Sequence, residues 1–224
     1  MDILQRHEIL EIETLESMNS GKFLEPLVFG GGTMLRLCYE LNRYSVDLDF
    51  WFVKKTDHKA YFDRLKKYFS QRYEITDAHI KHYTILLELR SGSYPRRLKI
   101  EIRKEIRPCD FEERIAFSKF SSKQVILKSL TLDQMMKNKI EAALDRHEIR
   151  DFYDIEFMLR KGAAIKASKK DLDSLLKTIG KFKKSDFSVT LGSLLEKDVR
   201  QYYIAHKFDY LREKITDLAD KGAD

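Results

Sequence analysis

Residues 29–52 have the sequence FGGGTMLRLCYELNRYSVDLDFWF and contain three of the nine glycines of this 224-residue chain in succession. Glycine costs backbone entropy on folding, and an aspartate beside a buried strand costs desolvation unless it has a partner. This segment nevertheless adds Asp47 and Asp49 within an apolar run. Together the two costs predict that the segment binds a ligand.

The glycines lie where a predicted strand gives way to a predicted helix. Residues 27–29 are apolar and predict a short buried strand, and Thr33 is the predicted N-cap of the helix. Such a turn lets backbone N–H groups approach phosphate oxygens, and the helix N-terminus adds partial positive charge. A glycine triplet before a helix is more often only a tight turn, so the triplet alone does not decide the matter. The apolar positions that predict the helix are Met34, Leu37, Cys38 and Leu41.

From residue 46 to residue 53 the apolar period changes to two, which predicts a strand with one buried face. Asp47 and Asp49 then point to the same side. Two such carboxylates can hold a divalent ion that a polyphosphate completes with its own oxygens. Two aspartates spaced in this way, taken alone, usually belong to a solvated strand edge. Their position just after the glycine turn favours phosphate and metal chemistry instead.

A hairpin is predicted from residues 83–90 and 98–104 around the turn SGSYPRR. In its second strand Lys99, Glu101 and Arg103 share the polar face. Glu101 is then a third carboxylate projecting from a sheet, which would make room for a second metal ion and could accept the proton of an attacking hydroxyl. A solvated face in a basic hairpin accounts for Glu101 equally well.

The fold class predicted from these elements is α/β, of the α+β type. Residues 1–128 would form a small twisted mixed sheet with flanking helices, and residues 129–224 would form a helical domain that closes a cleft. The first twenty residues and residues 57–72 predict helices, and a short strand is expected near residues 125–127. The second domain opens with a predicted capping box from Thr131 to Gln134.

Composition limits the class of protein. The formal charge of +6 and a pI near 9.1 weakly favour an anionic partner. No run of about 18 apolar residues exists and the first residues are partly acidic, so neither a membrane span nor a signal peptide is predicted and we expect a cytoplasmic protein. Cys38 and Cys109 lack CxxC neighbours and are interpreted as packing residues. The six histidines show no metal-ligand spacing.

The segments GGGT and RYSVDLDF resemble the opening of the nucleotidyltransferase fold as it occurs in the AbiEii/AbiGii family of type IV toxin–antitoxin toxins. The later segment KNKIEAALDRHEIRDFYDI, Lys137 to Ile155, is similar to that family's later motifs, in which a helical lysine is followed by an arginine and then by RDxYD. Two separated motifs in the right order make the resemblance specific.

The resemblance implies a role for each matching residue. Gly31, Gly32 and Thr33 would bind the triphosphate, and Arg43 and Ser45 would surround the metal site. Asp47 and Asp49 would bind metal and Glu101 would stand at the third carboxylate position. The other implied residues are Lys139, which would reach the nucleotide phosphates, and Arg150, Asp151 and Asp154, which would build the far wall of the cleft and orient Lys139. Without the family pattern, Arg150 and Asp154 would be interpreted as a surface ion pair.

The function that follows is transfer of a nucleoside monophosphate from an NTP to an acceptor hydroxyl, with two Mg²⁺ ions and release of pyrophosphate. By family analogy the acceptor is RNA, at the 3′ end of tRNA, and a cognate antitoxin relieves the growth arrest. Two alternatives stay open: a nucleotidyltransferase acting on a small molecule such as an aminoglycoside, and a nucleotide-binding module without turnover.

The distribution of basic residues is relevant to the identity of the acceptor. Residues 160–184 contain nine Lys or Arg against Asp171 and Asp173, a local balance of +7. The hairpin is also basic, and two basic regions beside one cleft would suit a phosphodiester backbone. A solvated face is the other interpretation.

Overall fold

The computed structural model describes residues 1–221, and the chain divides into a first unit, Met1–Thr131, and a second unit that begins at Leu132. The first unit contains three helices, α1 (Ile3–Ser20), α2 (Gly31–Tyr39) and α3 (His58–Phe69). Its strands are β1 (Leu27–Gly30), β2 (Asp47–Phe52), β3 (Glu74–Ile80), β4 (Thr84–Arg90), β5 (Leu98–Arg103), β6 (Phe111–Phe117) and β7 (Gln124–Leu130).

The seven strands form one mixed sheet in the order β3-β4-β5-β2-β1-β7-β6. Strand β2 runs antiparallel to β1 and parallel to β5, and β1 runs parallel to β7. The other neighbouring pairs are antiparallel. The strand that carries the two aspartates therefore lies in the middle of the sheet, between the glycine turn and the predicted hairpin.

The predicted α/β class, the helix near residues 57–72 and the β4–β5 hairpin are confirmed. Strands β3 and β6 were missed, and β7 is longer than the short strand expected near residues 125–127. Both missed strands are edges of the sheet, and because β3 has no buried residue and β6 has one, their sequences lack the apolar alternation of a half-buried strand.

The alternation predicted for β2 is present. Phe50 and Phe52 are buried with Leu48, whereas the residues between them are partly exposed. The ring of Phe50 stacks on Phe29 with centroids 5.0 Å apart, and Tyr61 of α3 meets Phe52 edge-on at 5.2 Å. Helix α3 and the aromatic core therefore occupy the apolar face of the sheet, which leaves the polar face for a site.

The second unit is helical through the described residues. The phenyl rings of Phe152, Phe182, Phe187 and Phe208 form its aromatic core, with centroids 5.1–6.3 Å apart. No helix in residues 1–221 is both long and apolar enough to span a membrane. The helices are α4 (Leu132–Arg146), α5 (Ile149–Arg160), α6 (Lys169–Ile179), α7 (Lys197–His206) and α8 (Asp209–Lys221), with a π-helical turn at Asp186–Leu191 and a 3₁₀ turn at Gly192–Leu194 between α6 and α7.

Helix α1 contributes charged groups to the interior of the first unit. Glu8 accepts hydrogen bonds from Arg36 Nε at 2.5 Å and from Ser118 Oγ at 2.6 Å. Glu11 is fully buried, and its carboxylate oxygens have no hydrogen-bond partner within residues 1–221, although His7 Nε2 lies 3.4 Å away. Burial, with repulsion from Glu8, raises the pKa of Glu11 well above its usual value.

Replacing Glu11 by Gln tests whether folding raises the pKa of Glu11. A carboxyl whose pKa is raised by folding costs stability as the pH rises above its unfolded value, so Glu11→Gln should match the unchanged protein near pH 4 and be more stable at pH 8. Thermal unfolding at the two pH values measures the effect, with Glu25→Gln as an exposed control. Lower stability of Glu11→Gln at pH 8 would contradict the prediction.

Candidate active site

Gly31 opens helix α2 at a φ of +76°, a backbone region that L side chains rarely adopt. A Cβ at this position would also collide with the carboxylate of Asp49. The glycine turn and the second predicted aspartate are therefore in contact, and only glycine allows that approach. This contact brings backbone N–H groups at a helix N-terminus next to a carboxylate, as a site for a metal-bound polyphosphate requires.

Gly32 has two different neighbours. A Cβ at this position would lie 2.7 Å from Arg43 Nη2 and 2.8 Å from Ser45 Oγ. Arg43 is buried and donates a hydrogen bond from Nη1 to the carbonyl of Tyr44 at 2.9 Å. The fold thus brings the predicted residues Arg43 and Ser45 to the glycine turn, where they could meet a phosphate group.

Thr33 has a different local role from the one predicted. The N-cap of α2 is Gly30, so the predicted Thr33 cap is wrong. The extended conformation of Gly30 and the positive φ of Gly31 let the helix begin earlier. The Thr33 hydroxyl is buried and donates to the backbone carbonyl of Asp47 at 2.6 Å, which fixes the start of β2 against α2. A contact between Thr33 and triphosphate stays a prediction.

The three predicted carboxylates share the polar face of the sheet. Asp49 lies directly opposite Glu101 in the parallel pairing of β2 and β5, and Asp47 lies opposite Lys99. Neighbouring strands are about 4.8 Å apart, so side chains of such partners are within reach of one another. The register therefore assembles Asp47, Asp49 and Glu101 from two strands that are far apart in the sequence.

Lys99 lies among these carboxylates. Its Nζ is 3.3 Å from Asp47 Oδ2 and 3.6 Å from Glu101 Oε2. Partial burial lowers the pKa of Lys99, but the carboxylates of Asp47 and Glu101 outweigh burial, so the net shift is upward. Strand alternation predicts that Lys99 lies on this face but indicates no role for it. Its position two residues before Glu101 on the same strand was the available signal.

The donor set suits Mg²⁺, which prefers carboxylate oxygens. Within residues 1–221, however, no three His, Cys, Asp or Glu side chains form a ready metal site. The ammonium of Lys99 is the cation that lies near both Asp47 and Glu101. The residues fit the ion in chemistry, and an ion bound between these two side chains would displace Lys99.

A second charged cluster lies within the helical unit. Lys139 of α4 is buried, and its Nζ lies 2.9 Å from Asp151 Oδ1 and 2.6 Å from Asp154 Oδ2. Both aspartates are fully buried and stand three residues apart on α5, so they share one helix face. The predicted pairing of Lys139 with these two residues is present.

Arg146, rather than Arg150, is the arginine of this cluster. Its guanidinium donates to both carboxylate oxygens of Asp151, at 2.6 and 2.7 Å. Burial raises the pKa of Asp151, but Arg146 and Lys139 outweigh burial and hold it below its usual value. Arg150 instead pairs with Glu148 at 2.5 Å. The expectation that Arg150 orients Lys139 is therefore wrong, as is the alternative of an Arg150–Asp154 ion pair.

Arg150 lines a cavity of about 540 Å³ within the second unit, together with His147 and Phe182. The nucleotide contact predicted for Arg150 stays a prediction. Arg146 belongs to the segment from Lys137 to Ile155 that resembles the later family motifs, but its residue type and spacing predict no role for it. Its bond to Asp151 depends on the turn between α4 and α5, where His147 has a φ of +56°.

Comparison with known proteins agrees with the class that this fold and site define, a nucleotidyltransferase. Residues 14–221 match the family described as nucleotidyl transferase AbiEii toxin of a type IV toxin–antitoxin system. The chain belongs to this family, so it is a nucleotidyltransferase of a toxin–antitoxin system, with an antitoxin partner and a nucleotide substrate implied. No curated protein matches the chain.

Solved structures share the fold. The crystal structure of JHP933 from Helicobacter pylori superposes with a TM-score of 0.53 at 20% identity, covering 95% of each chain. A crystal structure of a candidate nucleotidyltransferase from H. pylori gives a TM-score of 0.54 at 21% identity, covering 93% of this chain and 96% of that one. At these identities the likeness supports the fold alone.

Gly31→Ala tests the contact between the turn and Asp49. The left-handed backbone alone should cost about 1–2 kcal/mol of unfolding free energy, and the displaced carboxylate should weaken NTP binding in the presence of Mg²⁺. Gly92→Ala is the control, because a Cβ there meets nothing within 4 Å. Chemical unfolding and NTP titration measure the two effects, and equal behaviour of the two variants would refute the interpretation.

Arg146→Ala and Arg150→Ala form a matched pair that tests the arginine assignment. Loss of the two charged hydrogen bonds to Asp151 should lower the free energy of unfolding by about 1–2 kcal/mol, allowing for partial solvent exposure of Arg146. Arg150→Ala should change it by about 0.5 kcal/mol or less. Urea unfolding measures both, and a larger loss for Arg150→Ala would reverse the assignment.

Proposed function

We propose that this protein transfers a nucleoside monophosphate from an NTP to a hydroxyl of RNA, with Mg²⁺, and releases pyrophosphate. The observation that carries the proposal is the row formed by the glycine turn, Asp49 and Glu101. Gly31 contacts Asp49, and Asp49 lies opposite Glu101. One row would therefore combine a backbone that binds phosphate, a carboxylate that binds metal and a candidate general base.

In the proposed reaction the acceptor oxygen attacks the α-phosphorus of the NTP. A bond forms between these two atoms, and the bond from the α-phosphorus to the bridging oxygen of the leaving pyrophosphate breaks. The backbone N–H groups at the start of α2 donate to phosphate oxygens, and Arg43 and Ser45 flank them. Glu101, whose side chain is 29% exposed, accepts the proton of the attacking hydroxyl.

Asp47 and Asp49 would hold the first Mg²⁺ ion, and Glu101 would help to hold a second. Bound magnesium would neutralise the triphosphate charge and lower the pKa of the attacking hydroxyl. A second ion near Glu101 would take the place of Lys99, whose ammonium is 3.6 Å from that carboxylate. Lys99 would keep the carboxylates compensated between turnovers.

Lys139 would contact the nucleotide phosphates. An ammonium has three N–H donors, and Asp151 and Asp154 accept two of them, which leaves one for a phosphate oxygen. Arg146 keeps Asp151 ionised and in place. Lys139 would in this way be a fixed cation, and Asp151 would act by positioning it.

The basic residues between positions 160 and 184 support an RNA acceptor over a small molecule. All eight lysines of this segment are exposed and could neutralise phosphodiester groups. Arg160 is also exposed, but its guanidinium already donates to Glu156 and lies over the ring of Tyr210. By family analogy we propose the 3′ end of tRNA as the acceptor, in the cytoplasm, with the antitoxin opposing this activity. The exposed lysines are Lys161, Lys166, Lys169, Lys170, Lys177, Lys181, Lys183 and Lys184.

Incubation with each labelled NTP, Mg²⁺ and total cellular RNA tests the proposal. The unchanged protein should label RNA, and chelation of Mg²⁺ should abolish labelling. Asp49→Asn should be inactive, whereas Glu101→Gln should bind NTP normally and react on the order of 100-fold more slowly, because a base acts only when the acceptor attacks. Asp77→Asn, on exposed edge strand β3, is the matched control and should keep full activity.

The other results separate the alternatives. Labelling of an aminoglycoside and not of RNA would favour a small-molecule nucleotidyltransferase. NTP binding without transfer to either acceptor would favour a binding module. Full activity of Asp49→Asn would remove the metal site from the mechanism.

A further inference from the structure

A cavity of about 220 Å³ opens on the polar face of the sheet, immediately beside Glu101. It lies within the first unit and is lined by residues of β2, β5 and the start of β4. The mechanism proposed above does not use the other side chains that line it. These include Trp51, Tyr83, Thr84, Arg103 and Arg107.

Strand register fixes the position of this cavity relative to the carboxylates. Thr84, Arg103 and Trp51 form one row across three neighbouring strands, β4, β5 and β2. Glu101 and Asp49 form the adjacent row on the same face. Two residues of a strand span about 7 Å, so a group held over the first row can reach the second.

The lining presents flat surfaces. The guanidinium of Arg103 lies over the indole of Trp51, 5.4 Å from the ring centroid. Tyr83 is 71% exposed, and its ring meets the cavity from the start of β4. Glu105 is paired with Arg107 at 2.8 Å, so these two charges largely compensate each other. Aromatic rings and a guanidinium plane are the surfaces on which nucleobases stack.

We propose that this cavity binds the nucleobase of the acceptor's terminal nucleotide, an inference that rests on the proposed RNA acceptor. Two observations favour the nucleobase of the acceptor. The cavity shares Glu101, the group that takes the acceptor proton, and that group must contact the attacking hydroxyl. The glycine turn, which would hold the NTP phosphates, lies between β1 and α2, and its glycines are not among the residues that line this cavity.

Size supports a single base. A volume of about 220 Å³ is below the roughly 300–1,000 Å³ that encloses a drug-sized ligand, so the cavity suits one planar ring system and not a whole aminoglycoside. A base stacked at Arg103 would leave its ribose toward Glu101, one row away. The cavity would thereby align the ribose hydroxyl with Glu101, the carboxylate that would accept its proton.

Trp51 is the single tryptophan of the chain, so its fluorescence reports directly on this cavity. The probe is a single-stranded RNA hexanucleotide of mixed sequence with a free 3′ hydroxyl, titrated into the full-length protein with each NTP present at saturation. We expect saturable quenching. Arg103→Ala and Tyr83→Ala should each raise the Kd of the hexanucleotide about tenfold and leave the Kd of the NTPs unchanged.

Arg90→Ala is the matched control, because Arg90 is an exposed arginine on β4 outside the cavity. Trp51 stays intact in every variant, since its ring also packs against Gly30. Equal loss of hexanucleotide affinity in Arg90→Ala and Arg103→Ala would overturn the inference. The inference would also be overturned if an NTP quenched Trp51 and the hexanucleotide did not change that quenching. The cavity would then hold the nucleobase of the NTP.

Transfer and fluorescence measurements on the same variants distinguish failure of this inference from failure of the proposed function. Transfer to RNA without any quenching by the hexanucleotide would reject the cavity and leave the proposed function standing. Quenching that depends on Tyr83 and Arg103, without transfer from any NTP, would support a nucleotide site here and reject the proposed transfer.

Discussion

The contact between the Asp49 carboxylate and Gly31 is the constraint on which the site depends. Gly31 has a left-handed backbone and no room for a Cβ, so its Cα can lie against the side chain from the neighbouring strand. The same strand pairs with β5, which brings Glu101 opposite Asp49. A larger residue in the turn would displace the Asp49 carboxylate and disturb the start of α2 together, because the two meet at this point.

Charge compensation differs between the two clusters. Around β2, the ammonium of Lys99 lies near two carboxylates, 3.3 Å from Asp47 and 3.6 Å from Glu101. In the second unit, Lys139 and Arg146 balance Asp151 and Asp154. Burying one unpaired member of that group would be costly, so the cluster holds Lys139 as a fixed cation. The two lysines therefore differ in setting, because Lys99 is partly exposed beside its carboxylates whereas Lys139 is buried with its two aspartates.

Local periodicity accounts for the parts of the fold that the sequence predicted. The alternation in β2 and the apolar positions of the following hairpin reflect burial of one face, so both could be identified before the sheet was known. The edge strands β3 and β6 bury little and leave no such pattern. Thr33 was assigned as a cap from its residue type, but Gly30 begins the helix and the buried hydroxyl of Thr33 bonds to Asp47 instead.

The sequence by itself determined that Asp47 and Asp49 share one side of a strand after a glycine turn, because strand alternation and glycine conformational freedom are properties of short segments. It also determined the family, through two ordered motifs. Only the tertiary structure decided that Lys99 lies between Asp47 and Glu101, that Arg146 and not Arg150 supports Asp151, and that Trp51 and Arg103 line one cavity. These contacts depend on strand register and on the turn between two helices, which bring together residues that no local pattern connects.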